Sequence, residues 1–70
     1  MQHIQLHINF TTREFEIINL LADGNRAIDI ASELFVSEFT VRTHLKNILR
    51  KSHARNTTAL VATCIRQGLI

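Results

Sequence analysis

Three long cationic side chains recur every fourth residue in the second half of the chain, as Arg42, Lys46 and Arg50. On an α-helix this spacing places all three on one face, where like charges four residues apart repel one another. We name this face the cationic strip and expect no acid on it. An ordinary solvated face is the alternative, but such faces usually mix both signs. Because an external polyanion would remove the repulsion, the pattern favours contact with nucleic-acid phosphates and base edges.

Charge is distributed unevenly along this chain of 70 residues, although the net charge of +2 is modest. Residues 1–36 carry two arginines and five acids, whereas residues 37–70 carry six cations and a single acid, Glu38. Asymmetry of this kind indicates a polyanionic partner. A chain of this length builds one domain with one small core, which leaves little room for a substrate pocket.

No group of residues has the spacing that catalysis or metal binding requires. The four histidines are scattered, the single cysteine cannot form an internal disulfide, and no glycine-rich phosphate loop is present. We therefore expect no enzyme, no catalytic residue, no metal and no cofactor. The lone thiol fits a reducing compartment, and no apolar run is long enough to cross a bilayer. These features predict a cytoplasmic protein without a membrane partner.

Four helices are predicted from the hydrophobic period and from residues that cap helix ends. The first starts at Thr11 or Thr12, and the others cover about residues 27–34, 37–51 and 56–67. The absence of proline and the low glycine content also favour short helices joined by tight turns. Together these features predict an all-α fold, a four-helix bundle that contains a helix-turn-helix.

Residues 2–10 alternate apolar and polar side chains, a period typical of an extended segment with one buried face. We expect residues 1–9 to form a short extended N-terminal leader, or the remnant of a linker, that packs along the helical core. The alternative is a strand that pairs with its own copy in a dimer, because a lone edge strand is only marginally stable. The folded domain is then expected to cover residues 10–70.

The third helix separates its side chains onto two opposite faces. Its core stripe is predicted to consist of Val41, Leu45, Ile48 and Leu49. A short second helix with the small residue Ala31, a tight turn and a capped third helix are typical of a helix-turn-helix. In that motif the second of the two helices, here about 37–51, enters the major groove of DNA.

The outer face of this helix offers groups that suit DNA. Arg42 and Lys46 are long enough to reach guanine O6 and N7, and Thr43 suits a thymine methyl group or a hydrogen bond. We therefore predict base contacts from these three residues. Phosphate contacts are predicted for residues at the start and flank of the helix, namely Ser37, Thr40, Arg50 and Lys51.

Three stretches of the chain resemble the LuxR-type DNA-binding domain of bacterial transcription regulators. They are FTTREFEIINLLADG at 10–24, IASELFVSEFTVRTHLKNILRK at 30–51 and RNTTALVATCIRQGLI at 55–70. The resemblance implies a four-helix domain that dimerises through its last helix on two-fold-related half-sites. It also implies the base and phosphate contacts just named. Arg13 and Glu14 resemble the family's structural pair, which braces helices.

Five positions depart from the pattern of that family, namely Arg26, Ile28, Phe39, Ser52 and Thr57. The departures bear on DNA affinity more than on the fold, because each lost phosphate contact flattens the salt dependence by about one unit. Phe39 has two interpretations. It contacts a thymine methyl group or wedges near the DNA backbone, or it contacts a protein partner.

Two functions remain open from the sequence. One is sequence-specific binding of double-stranded DNA by a homodimeric transcription regulator, controlled by an upstream regulatory domain or acting with RNA polymerase. The other is an interaction module of the same fold that heterodimerises with another regulator and modulates it. Either would use the exposed side of the last helix, which is predicted to carry Leu60, Val61, Cys64 and Ile65.

Overall fold

The computed structural model describes residues 9–70, which contain four helices and no strand. The helices are α1 (Thr12–Ala22), α2 (Ala27–Leu34), α3 (Glu38–Ser52) and α4 (Thr57–Arg66). The predicted all-α architecture of four helices is confirmed. The predicted bounds of α2 match the observed ones, and those of the other three helices agree to within a residue or so at each end.

Most of the predicted extended leader, residues 1–8, lies outside the described residues, so its conformation stays a prediction. The end of the segment packs on the helices. The Asn9 carbonyl accepts a hydrogen bond from Lys51 Nζ at 3.3 Å. Phe10 is buried and meets Phe15 edge to face, with ring centroids 5.5 Å apart. This geometry is a favourable one for two aromatic rings.

Side-chain caps determine where three of the four helices begin. Thr11 Oγ1 accepts from the Glu14 backbone N–H at 3.1 Å, and Glu14 Oε1 accepts from the Thr11 backbone N–H at 2.8 Å. This reciprocal pair is a capping box. Ser37 and Asn56 cap α3 and α4, each accepting from the backbone N–H three residues on, at 3.0 and 2.8 Å. A cap of this kind contributes about 1 kcal/mol. Helix α2 starts after Arg26 without a side-chain cap.

One hydrophobic core joins the four helices. Its fully buried side chains are Ile17, Ile18, Ile30, Val41, Ile48, Leu60 and Cys64. This finding corrects the predicted dimer interface, because Leu60 and Cys64 face inward and have no surface to offer a partner. On α2, Ile30 is buried and Ile28 is 54% exposed.

The turn between α2 and α3 contains one residue with a left-handed backbone. Phe35 adopts a left-handed conformation, with φ 59° and ψ 42°, and its side chain is 93% exposed. The Val36 N–H then donates to the Ala31 carbonyl at 3.0 Å, which closes the end of α2. Ala31 is buried, and α2 packs more extensively with α3 than any other two helices do with each other. Helices α2 and α3 therefore form a helix-turn-helix in which α3 is the second helix.

Candidate nucleic-acid interface

The outer face of α3 carries the residues predicted to contact DNA bases. Arg42, Thr43 and Lys46 are all exposed, and Arg50 continues the same face one turn further along. The rotation of α3 about its axis is fixed by residues on the opposite side, such as Val41, which is fully buried. The structure thus brings the three predicted base-contact residues together on one exposed surface.

An acid lies on the cationic strip, contrary to the expectation from the sequence. Glu38 Oε2 accepts hydrogen bonds from Nε and Nη2 of Arg42, at 2.9 and 2.6 Å. The two residues are four apart with the acid nearer the helix N-terminus, which is the favourable order. Both side chains remain exposed, at 66% for Arg42 and 39% for Glu38, so the pair contributes only about 0.3–0.5 kcal/mol to stability. The same four-residue spacing was visible in the sequence.

The other two cations of the strip keep their charge uncompensated. Lys46 engages no acid within residues 9–70. Arg50 Nη2 donates only to the neutral Asn47 Oδ1, at 3.2 Å. Two positive side chains one turn apart are therefore available to an anionic partner.

Two hydroxyl groups lie at the N-terminal end of α3, where phosphate contacts were predicted. Ser37 Oγ accepts from the Thr40 backbone N–H at 3.0 Å and donates to Thr40 Oγ1 at 2.9 Å. The Thr40 hydroxyl proton has no acceptor among the described residues, so it is the proton that can reach an outside oxygen. Unpaired backbone N–H groups of the first turn add positive potential at the same place.

Lys51, also predicted to contact phosphate, is instead bound within the domain. Its Nζ donates to Glu14 Oε1 at 2.7 Å, and Glu14 is only 4% exposed. Burial raises the pKa of Glu14, but the hydrogen bond from Lys51, those from Thr11 and the attraction of the ammonium outweigh it, so the pKa lies below its ordinary value. The carboxylate is thus held ionised, and the pair joins the end of α3 to the start of α1.

Of the two residues expected to brace helices, Arg13 and Glu14, only Glu14 does so. Glu14 does brace two helices, but its partner is Lys51, whereas Arg13 pairs on the surface with Glu16 at 3.5 Å. The sequence did contain a signal for this role of Glu14. The residue lies three and four positions before Ile17 and Ile18, on the apolar stripe of α1. An acid on that stripe needs a cation within hydrogen-bonding distance as its partner.

The exposed side of α4 is narrower than predicted. Val61 is half-buried and Ile65 is 57% exposed, whereas Leu60 and Cys64 belong to the core. A shallow groove of about 420 Å³ separates this side of α4 from the end of α1. The groove is lined by Leu21, Gly24, Asn25, Thr57, Thr58, Val61, Ala62 and Ile65. Burial raises the pKa of the Cys64 thiol, which therefore stays protonated at neutral pH.

Within residues 9–70 no three histidine, cysteine or acidic side chains come together as metal ligands do. His3 and His7 fall outside the described residues. None of the helices described has both the length and the apolar content needed to cross a bilayer.

Comparison with known proteins gives one family and several relatives. The family described as bacterial regulatory proteins, luxR family, matches residues 8–64. The uncharacterized transcriptional regulatory protein YxjL of Bacillus subtilis is 48% identical over 61 residues, which cover 87% of this chain and 28% of that protein. The transcriptional regulatory protein DegU of Brevibacillus brevis is 38% identical over 65 residues, which cover 93% of this chain and 27% of that protein.

A shorter relative matches over most of its own length. The spore germination protein GerE of Bacillus subtilis is 40% identical over 58 residues, which cover 83% of this chain and 78% of that protein. The chain therefore spans about a quarter of the length of YxjL and DegU but more than three quarters of GerE.

Proposed function

The chain belongs to the luxR family of bacterial regulatory proteins, and we propose that it binds double-stranded DNA with α3 in the major groove. Members of this family are DNA-binding transcription regulators with a helix-turn-helix, not enzymes. The observation that carries the proposal is the exposed outer face of α3, on which Lys46 and Arg50 keep uncompensated positive charge. Phosphates would neutralise this charge and release the counterions bound to them.

Base reading is assigned to the centre of the strip. Arg42 and Lys46 have the length and the donors to engage O6 and N7 of guanine, and the Thr43 methyl and hydroxyl suit a thymine. Their common exposure on one helix face supports this assignment. Sequence-specific binding then depends on contacts that change with the base pair, whereas the remaining contacts only position the helix.

Phosphate contacts are assigned to both ends of the recognition helix. At its start, the Thr40 hydroxyl, the Ser37 cap and the free backbone N–H groups lie together. At its end, Arg50 reaches outward. We leave Lys51 out of this set, because its ammonium already donates to the buried carboxylate of Glu14 and the chain would lose that contact by moving it.

Dimerisation is assigned to the outer side of α4. Val61 and Ile65 border the groove toward the end of α1, and a second copy related by a two-fold axis would cover these apolar groups. A dimer also places two recognition helices on two-fold-related half-sites, which increases the number of base pairs read. Leu60 and Cys64 take no part in this interface, because the core of their own domain covers them.

The roles of the two parts of the chain, and its partners, follow from the same proposal. Residues 10–70 act as the DNA-binding unit, and residues 1–9 act as the leader or linker that precedes it. Because the chain spans 28% and 27% of two of its relatives, we propose that it works beside an upstream regulatory domain or with RNA polymerase. A regulator that binds chromosomal DNA in a bacterium acts in the cytoplasm.

The test is the affinity of the chain for duplex DNA when the strip is neutralised. A double substitution, Arg42→Ala with Lys46→Ala, is compared with Arg13→Ala with Arg66→Ala, which removes the same charge from α1 and α4. Fluorescence anisotropy on a genomic library fragment should show a loss of about 100-fold or more for the first variant. The control should lose less than about threefold, in line with long-range electrostatics alone. Equal losses in both variants would contradict the proposal.

A second function, heterodimerisation with another regulator, is favoured by exposed aromatic rings near the DNA-binding face. Phe39 is 79% exposed and Phe35 is 93% exposed, which is unusual for a surface that contacts only DNA. If the chain has this function, it should bind no DNA duplex even at low salt. It should instead form a stable heterodimer with another regulator. A gel-shift titration at two salt concentrations separates the two functions.

A further inference from the structure

The pair of Glu38 and Arg42 leaves a defined set of hydrogen-bonding groups unused. Arg42 directs Nε and Nη2 to a single oxygen, Oε2 of Glu38. The far edge of the guanidinium, formed by Nη1 and the second hydrogen of Nη2, meets no acceptor among residues 9–70. Oε1 of Glu38 likewise accepts no hydrogen bond within the same residues. The pair therefore presents two parallel donors beside one open acceptor.

These open groups match the edge of one kind of base pair better than others. Two parallel N–H donors of an arginine fit O6 and N7 of guanine, and an acidic side chain accepts from the N4 amine of cytosine. Both groups lie on the first two turns of α3, which is the part of a recognition helix that comes nearest to the bases.

We propose that Glu38 is a specificity-determining residue, which accepts from the N4 amine of a cytosine while it holds Arg42 toward a guanine. This inference rests on the proposed function. Because the carboxylate and guanidinium are in contact, the two bases lie on the same or neighbouring base pairs, within about two steps of one another. Glu38 was absent from the set of base-contact residues predicted from the sequence.

A carboxylate on a DNA-facing helix carries a cost that this role explains. It repels phosphates and lowers the positive charge of the strip, so it weakens binding to DNA of any sequence. Its exposed ion pair contributes little to folding. If one oxygen accepts from a base amine, however, the repulsion is offset at the correct site and remains at every wrong one. Glu38 then converts general affinity into discrimination.

The experiment selects preferred sites from randomised duplexes with the unaltered chain, and then measures its affinity for duplexes changed at single positions. The chain should select a cytosine next to or near a guanine and lose about tenfold in affinity when that cytosine is replaced. Glu38→Ala should reduce this discrimination to about twofold or less. Glu38→Gln should move the preference toward adenine, whose N6 and N7 pair with an amide.

The control is Glu16→Ala, which also removes an exposed acid from a surface pair with arginine, but on α1. It should raise affinity slightly for all duplexes and leave base preference unchanged. The inference is overturned if Glu38→Ala behaves in the same way as this control, or if the unaltered chain selects no cytosine. Failure of the unaltered chain to bind any duplex would instead overturn the proposed function, and the inference with it.

Discussion

Glu14 and Lys51, which are 37 positions apart in the chain, meet across the contact of α1 with α3 at 2.7 Å. The carboxylate also completes the capping box of α1, since Glu14 Oε1 accepts from the backbone N–H of Thr11. The Glu14 side chain therefore caps the start of α1 and also binds the end of the recognition helix. The contact joins the end of the recognition helix to the start of α1, two elements that are distant in sequence.

Lys51→Met is expected to destabilise the domain by about 2 kcal/mol, because it leaves the Glu14 carboxylate buried without its cation. The loss stays below that of a fully buried pair, since the Lys51 side chain is 34% exposed. Urea denaturation followed by circular dichroism measures it. Glu16→Gln, which breaks only the exposed pair with Arg13, should cost less than about 0.5 kcal/mol. Similar losses for both variants would show that the Glu14–Lys51 pair contributes no more to stability than an exposed pair.

The same pair should make stability depend on pH. The pKa of Glu14 is lowered in the folded state, so the unfolded chain binds the proton more tightly. The stabilisation is therefore present above the ordinary pKa of 4.5 and is lost as the pH falls through the folded value. The difference in unfolding free energy between the unaltered chain and Lys51→Met should shrink as the pH drops below 4.5. A difference that stays constant down to acid pH would contradict this assignment.

Phe35→Asn is expected to stabilise the domain by about 0.5–1 kcal/mol. Phe35 holds a left-handed backbone that costs an L-residue about 1 kcal/mol, and its exposed ring loses no burial when it is removed. Gly24→Ala should destabilise the domain by about 1 kcal/mol, because the backbone of Gly24 has φ 92°. This cost comes from the backbone alone, since an added Cβ would meet no atom within 4 Å. Thermal denaturation measures both changes. A loss of stability in Phe35→Asn would contradict this prediction, because it would mean that the Phe35 ring makes a stabilising contact.

Local features were predictable from the sequence because the interactions behind them span only a few residues. Thr11, Ser37 and Asn56 each cap a helix through a backbone N–H three positions away. Within α3 the helical period correctly separated the buried Val41 and Ile48 from the exposed cations.

What the sequence left undecided depends on how distant elements meet. The apolar stripe of α4 was assigned to a dimer, although Leu60 and Cys64 are covered by the domain's own core. The hydrophobic period identifies the apolar side of a helix, but it does not show whether the same domain or a second copy covers that side. The partner of Lys51 was missed for the same reason, because its choice between a phosphate and Glu14 depends on tertiary packing.

Two substitutions on α4 should separate folding from dimerisation. Ile65→Glu places a charge on the exposed side of the groove, so we expect it to abolish self-association while the melting temperature falls only slightly. Leu60→Ala opens a cavity in the core and should cost about 2–5 kcal/mol in stability. Sedimentation equilibrium and thermal denaturation give the two readouts. Unchanged self-association in Ile65→Glu would remove this side of α4 from the proposed interface.

The salt dependence of DNA binding distinguishes the two basic residues at the end of α3. Arg50→Gln removes an uncompensated charge proposed to contact phosphate, so the slope of log affinity against log salt should fall by about one. Lys51→Met removes an ammonium already neutralised by Glu14, so the slope should stay unchanged at a temperature where the variant is folded. Anisotropy titrations at several salt concentrations measure both slopes. If Lys51→Met flattened the slope as much as Arg50→Gln, the Lys51 ammonium would have to leave Glu14 for a phosphate when the protein binds DNA. The Glu14–Lys51 pair would then exist only in the free protein.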